Sequence, residues 1–287
     1  MFRAIFRFIT GCLDFIKKYF FILLFLVIGV SYFLNSDENT LVKPNLMRVD
    51  IVGPILKSDS FLEQMKEANK NNIKGVLLYI DSPGGLVAPS IEMSLAVKRL
   101  QQKKPVIAYA AGIMASGSYY AGLWADKIVA NPGAIIGSIG VIYDGFDISD
   151  LANKVGVKEQ VLKVGKYKEA GTFLRAWTPD EKAELKQVLD DTYKNFVFNV
   201  AKARGLKLED KDQYADAHIF SAQRAKIVGL IDKVGSIYDA KQLLIQDSAV
   251  IEPRWKKKDR YEKFINRLVD GAISKVSSYL FGLRSSF

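Results

Sequence analysis

Ser116 stands where a serine can do chemistry. It follows the apolar run Pro105-Val106-Ile107-Ala108-Tyr109-Ala110, which has the length and burial pattern of a strand. It precedes Gly117-Ser118-Tyr119-Tyr120, where aromatic and small residues resume at helical spacing. A hydroxyl at a strand-to-helix junction is presented rather than lost in a ladder. It also lies beside the free N–H groups of a helix start, which can stabilise a developing negative charge. The same position suits a helix cap, for which serine is a favoured residue. Both readings stand open on this stretch alone.

A nucleophilic serine needs a base. The one histidine, His218, lies over a hundred residues downstream in the polar setting Tyr214-Ala215-Asp216-Ala217-His218, and reads as a surface residue. The G-x-S-x-G elbow is absent, because Met114 holds the first glycine position. Lysine serves as a base where desolvation lowers its pKa from about 10.4 toward neutrality. Lys163, Lys166 and Lys168 cluster just before Glu169-Ala170-Gly171, a stretch that on its own equally reads as a solvated basic loop. Gly84-Gly85 let backbone N–H groups approach a substrate carbonyl and form half an oxyanion hole, with Gly117 N–H as the other half. A plain turn at Gly84-Gly85 is the alternative.

The elements that must hold these residues alternate. Residues 47–53 alternate as a half-buried strand, 59–71 read as a helix with Leu62, Met65 and Ala68 inward, and 75–80 form a continuous apolar strand ending in the 81–85 loop. Residues 89–102 return as a helix carrying Ile91, Leu95 and Leu100. Further strands are expected at 127–130, 139–143 and 157–164. Thr178-Pro179-Asp180-Glu181 is a complete helix start, with a threonine cap, proline first and glutamate third. That helix should run to Arg204 and stop at Gly205. Residues 221–225 start another helix, and 229–235 form a strand or turn. The alternation predicts an α/β domain with a substantially parallel sheet.

Composition narrows the function classes. The net charge is +10, but residues 1–36 carry +3 and residues 251–287 carry +5, leaving +2 for residues 37–250. Anionic lipid suits that distribution better than nucleic acid. A single cysteine, Cys12, excludes an intrachain disulfide, and one histidine excludes a multi-histidine metal site. No cofactor is expected, since the glycine-rich dinucleotide and P-loop signatures are absent. Tyr19 to Leu34 is uncharged, with Lys17-Lys18 before it and Asp37-Glu38 after it. This predicts a transmembrane anchor over 19–36, its N-terminus cytoplasmic and the remainder outside. No small-x-small cleavage site follows the run, so an uncleaved anchor fits better than a signal peptide. Residues 254–287 are basic and then amphipathic, and are expected to lie on a membrane surface or to be removed by self-processing.

Four motifs now fall in order: Asp81-Ser82-Pro83-Gly84-Gly85, Met114-Ala115-Ser116-Gly117-Ser118-Tyr119-Tyr120, Gly137-Ser138-Ile139-Gly140-Val141 and Gly165-Lys166-Tyr167-Lys168. Together they resemble the bacterial signal peptide peptidase A family, membrane-bound serine peptidases of the inner membrane. That family has a Clp protease/crotonase-like fold of repeated β-β-α units. The resemblance covers residues 45–240, between a 1–18 cytoplasmic segment with the 19–36 anchor and a 251–287 C-terminal segment. It implies Ser116 as nucleophile, Lys168 as general base and Ser138 as the hydroxyl that orients the lysine amine. It also implies Gly84 or Gly85 with Gly117 as oxyanion donors, and a catalytic domain on the periplasmic side. Ser118 departs from the family's usual second glycine, for which altered local packing is expected rather than lost activity. The resemblance further implies a homo-oligomeric ring in which one subunit's serine is served by a neighbour's lysine. Its implied substrates are apolar remnants of signal peptides. An acyl-CoA enzyme of the crotonase type and a membrane scaffold without activity are the competing readings; the anchor and the positioned Ser116 and Lys168 speak against the first.

Overall fold

Four parallel strands build the centre of the molecule: β1 (Leu46–Val52), β2 (Gly75–Ser82), β3 (Val106–Ala115) and β4 (Lys127–Ala130). Helices α1 (Asp59–Ala68), α2 (Val87–Gln101) and α3 (Gly117–Gly122) connect them in turn. β2 reads Gly-Val-Leu-Leu-Tyr-Ile-Asp-Ser and is apolar on both faces because it is paired on both edges and covered on both sides. Its residues alternate between two cores. Val76, Leu78 and Ile80 join Ala108, Ala110 and Ile128 under α1 and α2, whereas Leu77 joins Leu46, Ile107, Tyr109 and Val129 on the other face. Each such buried aliphatic side chain is worth about 1.5–3 kcal/mol.

The remaining strands are short. β5 (Ile135–Gly137) pairs in parallel with the second half of β3, β6 (Ile219–Ser221) pairs antiparallel with β5, and β7 (Lys233–Val234) extends the sheet beyond β4. The sheet is thus seven-stranded and mixed, and the α/β expectation holds. Between β5 and β6 lie α4 (Ser149–Lys154), the long α5 (Pro179–Arg204) and α6 (Lys211–Tyr214). After β6 come α7 (Ala222–Ile227) and α8 (Ile237–Asp247). α8 was not legible beforehand; Ala240 and Leu244 close the second face of the sheet, with Trp255 beside them. Residues 254–256 then cover the outer edge of β1, where Lys256 N donates to Leu46 O at 2.8 Å.

The computed structural model describes residues 14–15, 17–30 and 43–257, so the expectations for 1–13, for 31–36 and for 258–287 lie outside the described residues. The chain divides into two units, Met1–Lys43 and Pro44–Phe287. In the first, residues 17–30 are helical, with Phe21, Phe25 and Val27 exposed. Among the described residues no helix is long and apolar enough to cross a membrane.

Two expected strands are not formed. Residues 139–143 follow β5 without a ladder, and residues 157–164 carry no regular structure. Val157, Val161 and Val164 favour an extended backbone, but a strand needs a hydrogen-bonding neighbour, and no described segment offers one. Leu162 and Val164 are accordingly fully exposed. The helix predicted from Thr178 forms as expected, with its capping box and Gly205 as a left-handed C-cap. Phe196 and Val200 bury as predicted, but Val188 on the same predicted stripe is exposed. Leu95 of α2 is also exposed, its inner face being Ser90, Met93, Val97 and Leu100.

Candidate active site

Ser116 occupies the single position between β3 and α3. Its backbone has φ 51° and ψ −125°, a conformation that side-chain-bearing residues rarely adopt and that costs on the order of 1–3 kcal/mol. The surroundings enforce it. Ser116 N donates to Gly137 O at 2.8 Å, and Tyr120 N donates to Ser116 O at 3.0 Å. The tyrosines behind it anchor α3. Tyr119, fully buried, donates its hydroxyl to Leu230 O at 2.7 Å, and burial pushes that phenol's pKa up. Tyr120 packs edge-on against Phe196, 4.7 Å between ring centres, and accepts from Asn199 Nδ2 at 2.8 Å. The side chain of Ser116 does not cap α3. The hydroxyl is held out by a strained turn and left without a partner among the described residues, so the helix-cap reading falls.

The space for this turn comes from a neighbouring loop. Gly84 has φ 95°, and a Cβ there would lie 2.5 Å from Gly117 N and 2.9 Å from Ser116 Cβ. This explains how a strained serine turn exists without the glycines of G-x-S-x-G: the missing side chain belongs to another strand's loop. Within that loop Gly84 N donates to Ser82 Oγ at 3.2 Å, Ile55 N donates to Gly84 O, and Leu86 N donates to Ile55 O, both at 2.8 Å. The Gly85 and Gly117 N–H groups take no part in these bonds. They lie close together, since a Cβ on Gly117 would be 3.2 Å from Gly85 N.

Ser138 also has a positive φ, 49°, and its N donates to His218 O at 2.7 Å. The β3–β5 register pairs Ala115 with Gly137, so Ser116 and Ser138 leave the sheet side by side. Gly84-Gly85, Ser116-Gly117 and Ser138 thus converge at the carboxyl ends of three parallel strands, where open α/β sheets place their sites. His218 contributes only its backbone carbonyl here, and its side chain is exposed.

Lys168 is not brought into this group. It lies exposed in a turn, its N donating to Gly165 O at 3.3 Å, and no hydrogen bond joins it to Ser116 or Ser138. Its neighbours are engaged. Lys163 pairs with Glu169, and Lys166 pairs with Asp180 at 2.6 Å, whereas the Lys168 ammonium has no partner among the described residues. The turn is fastened by a residue that sequence reasoning missed. Arg175 binds Glu169 at 2.9 Å and clamps both oxygens of Glu181 at 2.7 and 2.8 Å. The Arg175 guanidinium, aided by Thr178 N–H, holds the Glu181 carboxyl down at about 2. The only signal in the sequence was the capping glutamate, whose second task was hidden.

The family model for peptidase family S49 matches residues 98–250 of this chain. A Synechocystis sp. protein named "Putative protease slr0021" is 37% identical over 205 residues, 71% of this chain and 74% of that protein. An Enterococcus faecium protein named "Putative signal peptide peptidase SppA" is 32% identical over 67% of this chain and 58% of its own length. Among solved structures, a mutant of the 1510-N membrane-bound stomatin-specific protease superposes with a TM-score of 0.50. That match covers 76% of this chain and 99% of that one at 18% identity, a likeness of fold. The matched region contains Ser116, Ser138 and Lys168, and with the relatives it shows that this chain is a protease belonging to peptidase family S49, the family of signal peptide peptidase A.

Proposed function

We propose that the chain is a membrane-anchored serine endopeptidase in which Ser116 is the nucleophile and Lys168 the general base. The observation that carries this reading is the strained Ser116 turn, which leaves the hydroxyl free beside two uncommitted glycine amides. The Lys168 amine takes the Ser116 proton as Oγ attacks the scissile carbonyl. Gly85 and Gly117 N–H groups receive the oxyanion, and Ser138 orients the amine. The proton then passes to the leaving amine, and water hydrolyses the acyl-enzyme by the same route in reverse.

The lysine comes from a neighbouring copy of the chain. In one copy Lys168 is exposed and unpaired, and it sits in a segment, residues 141–177, that presents Ile142, Phe146, Leu162, Val164 and Phe173 to solvent. Covering those side chains would take both them and the amine out of water, and a lysine deprotonates more readily when desolvated. Substrates are extended apolar peptides, in the first place remnants of signal peptides. Val52, Leu56 and Leu86, around the loop that carries Gly84-Gly85, offer exposed apolar surface for them. The uncharged run 19–34 supplies the anchor, with the catalytic domain on the periplasmic side of the inner membrane.

The test is activity-based labelling with a fluorophosphonate, read by mass spectrometry at Ser116, beside hydrolysis of an apolar peptide. Ser116→Ala and Lys168→Ala each abolish hydrolysis, a loss of about 10⁴-fold or more. Mixing the two inactive variants under subunit exchange restores part of the activity. Activity surviving in either variant alone overturns the dyad. Two inactive variants that never complement place both groups in one subunit.

A further inference from the structure

Ser118 is buried beside the nucleophile and makes three short contacts. Its Oγ accepts from Ala115 N at 2.9 Å and lies 2.6 Å from Ser82 O and 2.9 Å from Ala115 O, with its one proton directed to the nearer Ser82 O. Among the described residues no other side chain of α3 hydrogen-bonds to β2. The location matters because the ladder is interrupted there: β2 and β3 pair in regular register up to Ile80–Ala110, shift, and resume at Ser82–Met114. At this bulge the two strands deliver their functional residues, the Gly84-Gly85 loop from β2 and Ser116 from β3. Asp81 Oδ1 repairs one lost bond by accepting from Ile113 N at 3.0 Å. The Ser118 hydroxyl braces the point where pairing resumes, accepting from Ala115 N and donating to Ser82 O.

We propose that Ser118 is a positioning residue whose hydroxyl ties the Gly84-Gly85 loop to the Ser116 turn and so fixes the distance between oxyanion donors and nucleophile. The inference rests on Ser116 being the nucleophile. It goes beyond that reading because it gives a task to a side chain that neither attacks the substrate, moves the proton nor receives the oxyanion. Without Oγ, Ala115 N–H and Ser82 O each lose their hydroxyl partner in a site closed to water, and the loop loses its direct side-chain tie to the Ser116 turn. A shift of the donors weakens the transition state, where the oxyanion exists, more than the ground state.

Ser118→Ala and Ser118→Gly test this in the full chain. Both lower kcat about tenfold with KM within about twofold of wild type, a smaller loss than removing an oxyanion donor outright. Affinity for a peptide aldehyde, whose hemiacetal oxygen occupies the oxyanion site, falls by the same factor as kcat. Retention of wild-type kcat in both variants, or a loss confined to KM, overturns the proposal. So does unfolding of both variants, which makes the role structural. Wild-type protein without fluorophosphonate on Ser116 would instead remove the nucleophile reading itself, so the two failures are distinguishable.

Discussion

The two halves of the proposed dyad are held in opposite ways. Ser116 sits at the carboxyl edge of a fully packed sheet, with Ala110, Met114, Tyr119 and Ile136 buried around it. Lys168 sits on residues 141–177, a segment with no strand pairing, whose large apolar side chains face solvent and whose attachment is made of ion pairs. The serine half carries backbone strain at Ser116 and Ser138, which only dense surroundings can hold in place. The lysine half has no such strain and no such packing. A group that must be placed to a few tenths of an ångström is built into the core of its own chain. A group that must lose water is left on a surface that another molecule can cover.

Substitutions in each half should fail differently. After loss of Ser116 or Lys168 themselves, the largest effect is expected from Gly84→Ala. The added methyl meets Gly117 N at 2.5 Å and Ala115 O at 2.8 Å, both backbone atoms that cannot step aside. The positive φ adds strain. Displacing the oxyanion donors should lower kcat by about 10²-fold to 10³-fold, measured with an apolar peptide. A Gly84→Ala enzyme with ordinary kcat would remove the loop from the site.

The lysine half should instead break by dissociation. Leu162→Asp with Val164→Asp places charge on side chains that make no packing contacts within the chain, so melting should barely move. Native mass should fall to the monomer, and activity should fall about tenfold or more at the concentrations used, regained partly at higher protein concentration. Unchanged mass and activity would show that this face is not covered by a second copy.

The smallest effect concerns pH. Glu181 has its carboxyl held at about 2 against an ordinary 4.5, by Arg175 first and Thr178 N–H second. The unfolded chain therefore binds a proton between these values that the folded chain refuses. This contribution to stability is complete above about pH 4.5 and is lost as pH falls toward 2. In Glu181→Gln the melting temperature should be lower at pH 7 and less steep between pH 4.5 and 3 than in wild type. Equal slopes would mean that Arg175 does not hold the Glu181 carboxyl down.

How much of this was legible follows from the range of the interactions. The strand–serine–helix unit at 105–122, the α5 start at Thr178 and its stop at Gly205 were all readable, because each is set by neighbours within four residues. The strands expected at 139–143 and 157–164 do not form, because a short apolar run between glycine-rich turns shows only that a segment can be extended. It does not supply a neighbour to pair with. α8 escaped notice because its buried face is narrow, Ala240 and Leu244, and its task of covering Leu77 and Ile107 depends on residues over a hundred positions away.

The candidate site divides along the same line. Residue types alone offered Ser116, the lysines at 163, 166 and 168, and the bare amides of Gly84-Gly85 and Gly117; the choice of Lys168 and Ser138 among them came from the order of four motifs that resembles the signal peptide peptidase A family. The sequence also placed the charge at the ends and the serine at the end of a strand. Tertiary structure alone decided that the Ser116 hydroxyl is free rather than capping, because the loop that gives it room comes from β2. It decided that Ser118 bridges a broken ladder, which the bulge at Ile80–Ser82 creates and no local pattern announces. It also left Lys168 apart from Ser116 within one copy of the chain. Covalent neighbours set which groups are present; their distances across the sheet are set by packing, which no local window of sequence contains.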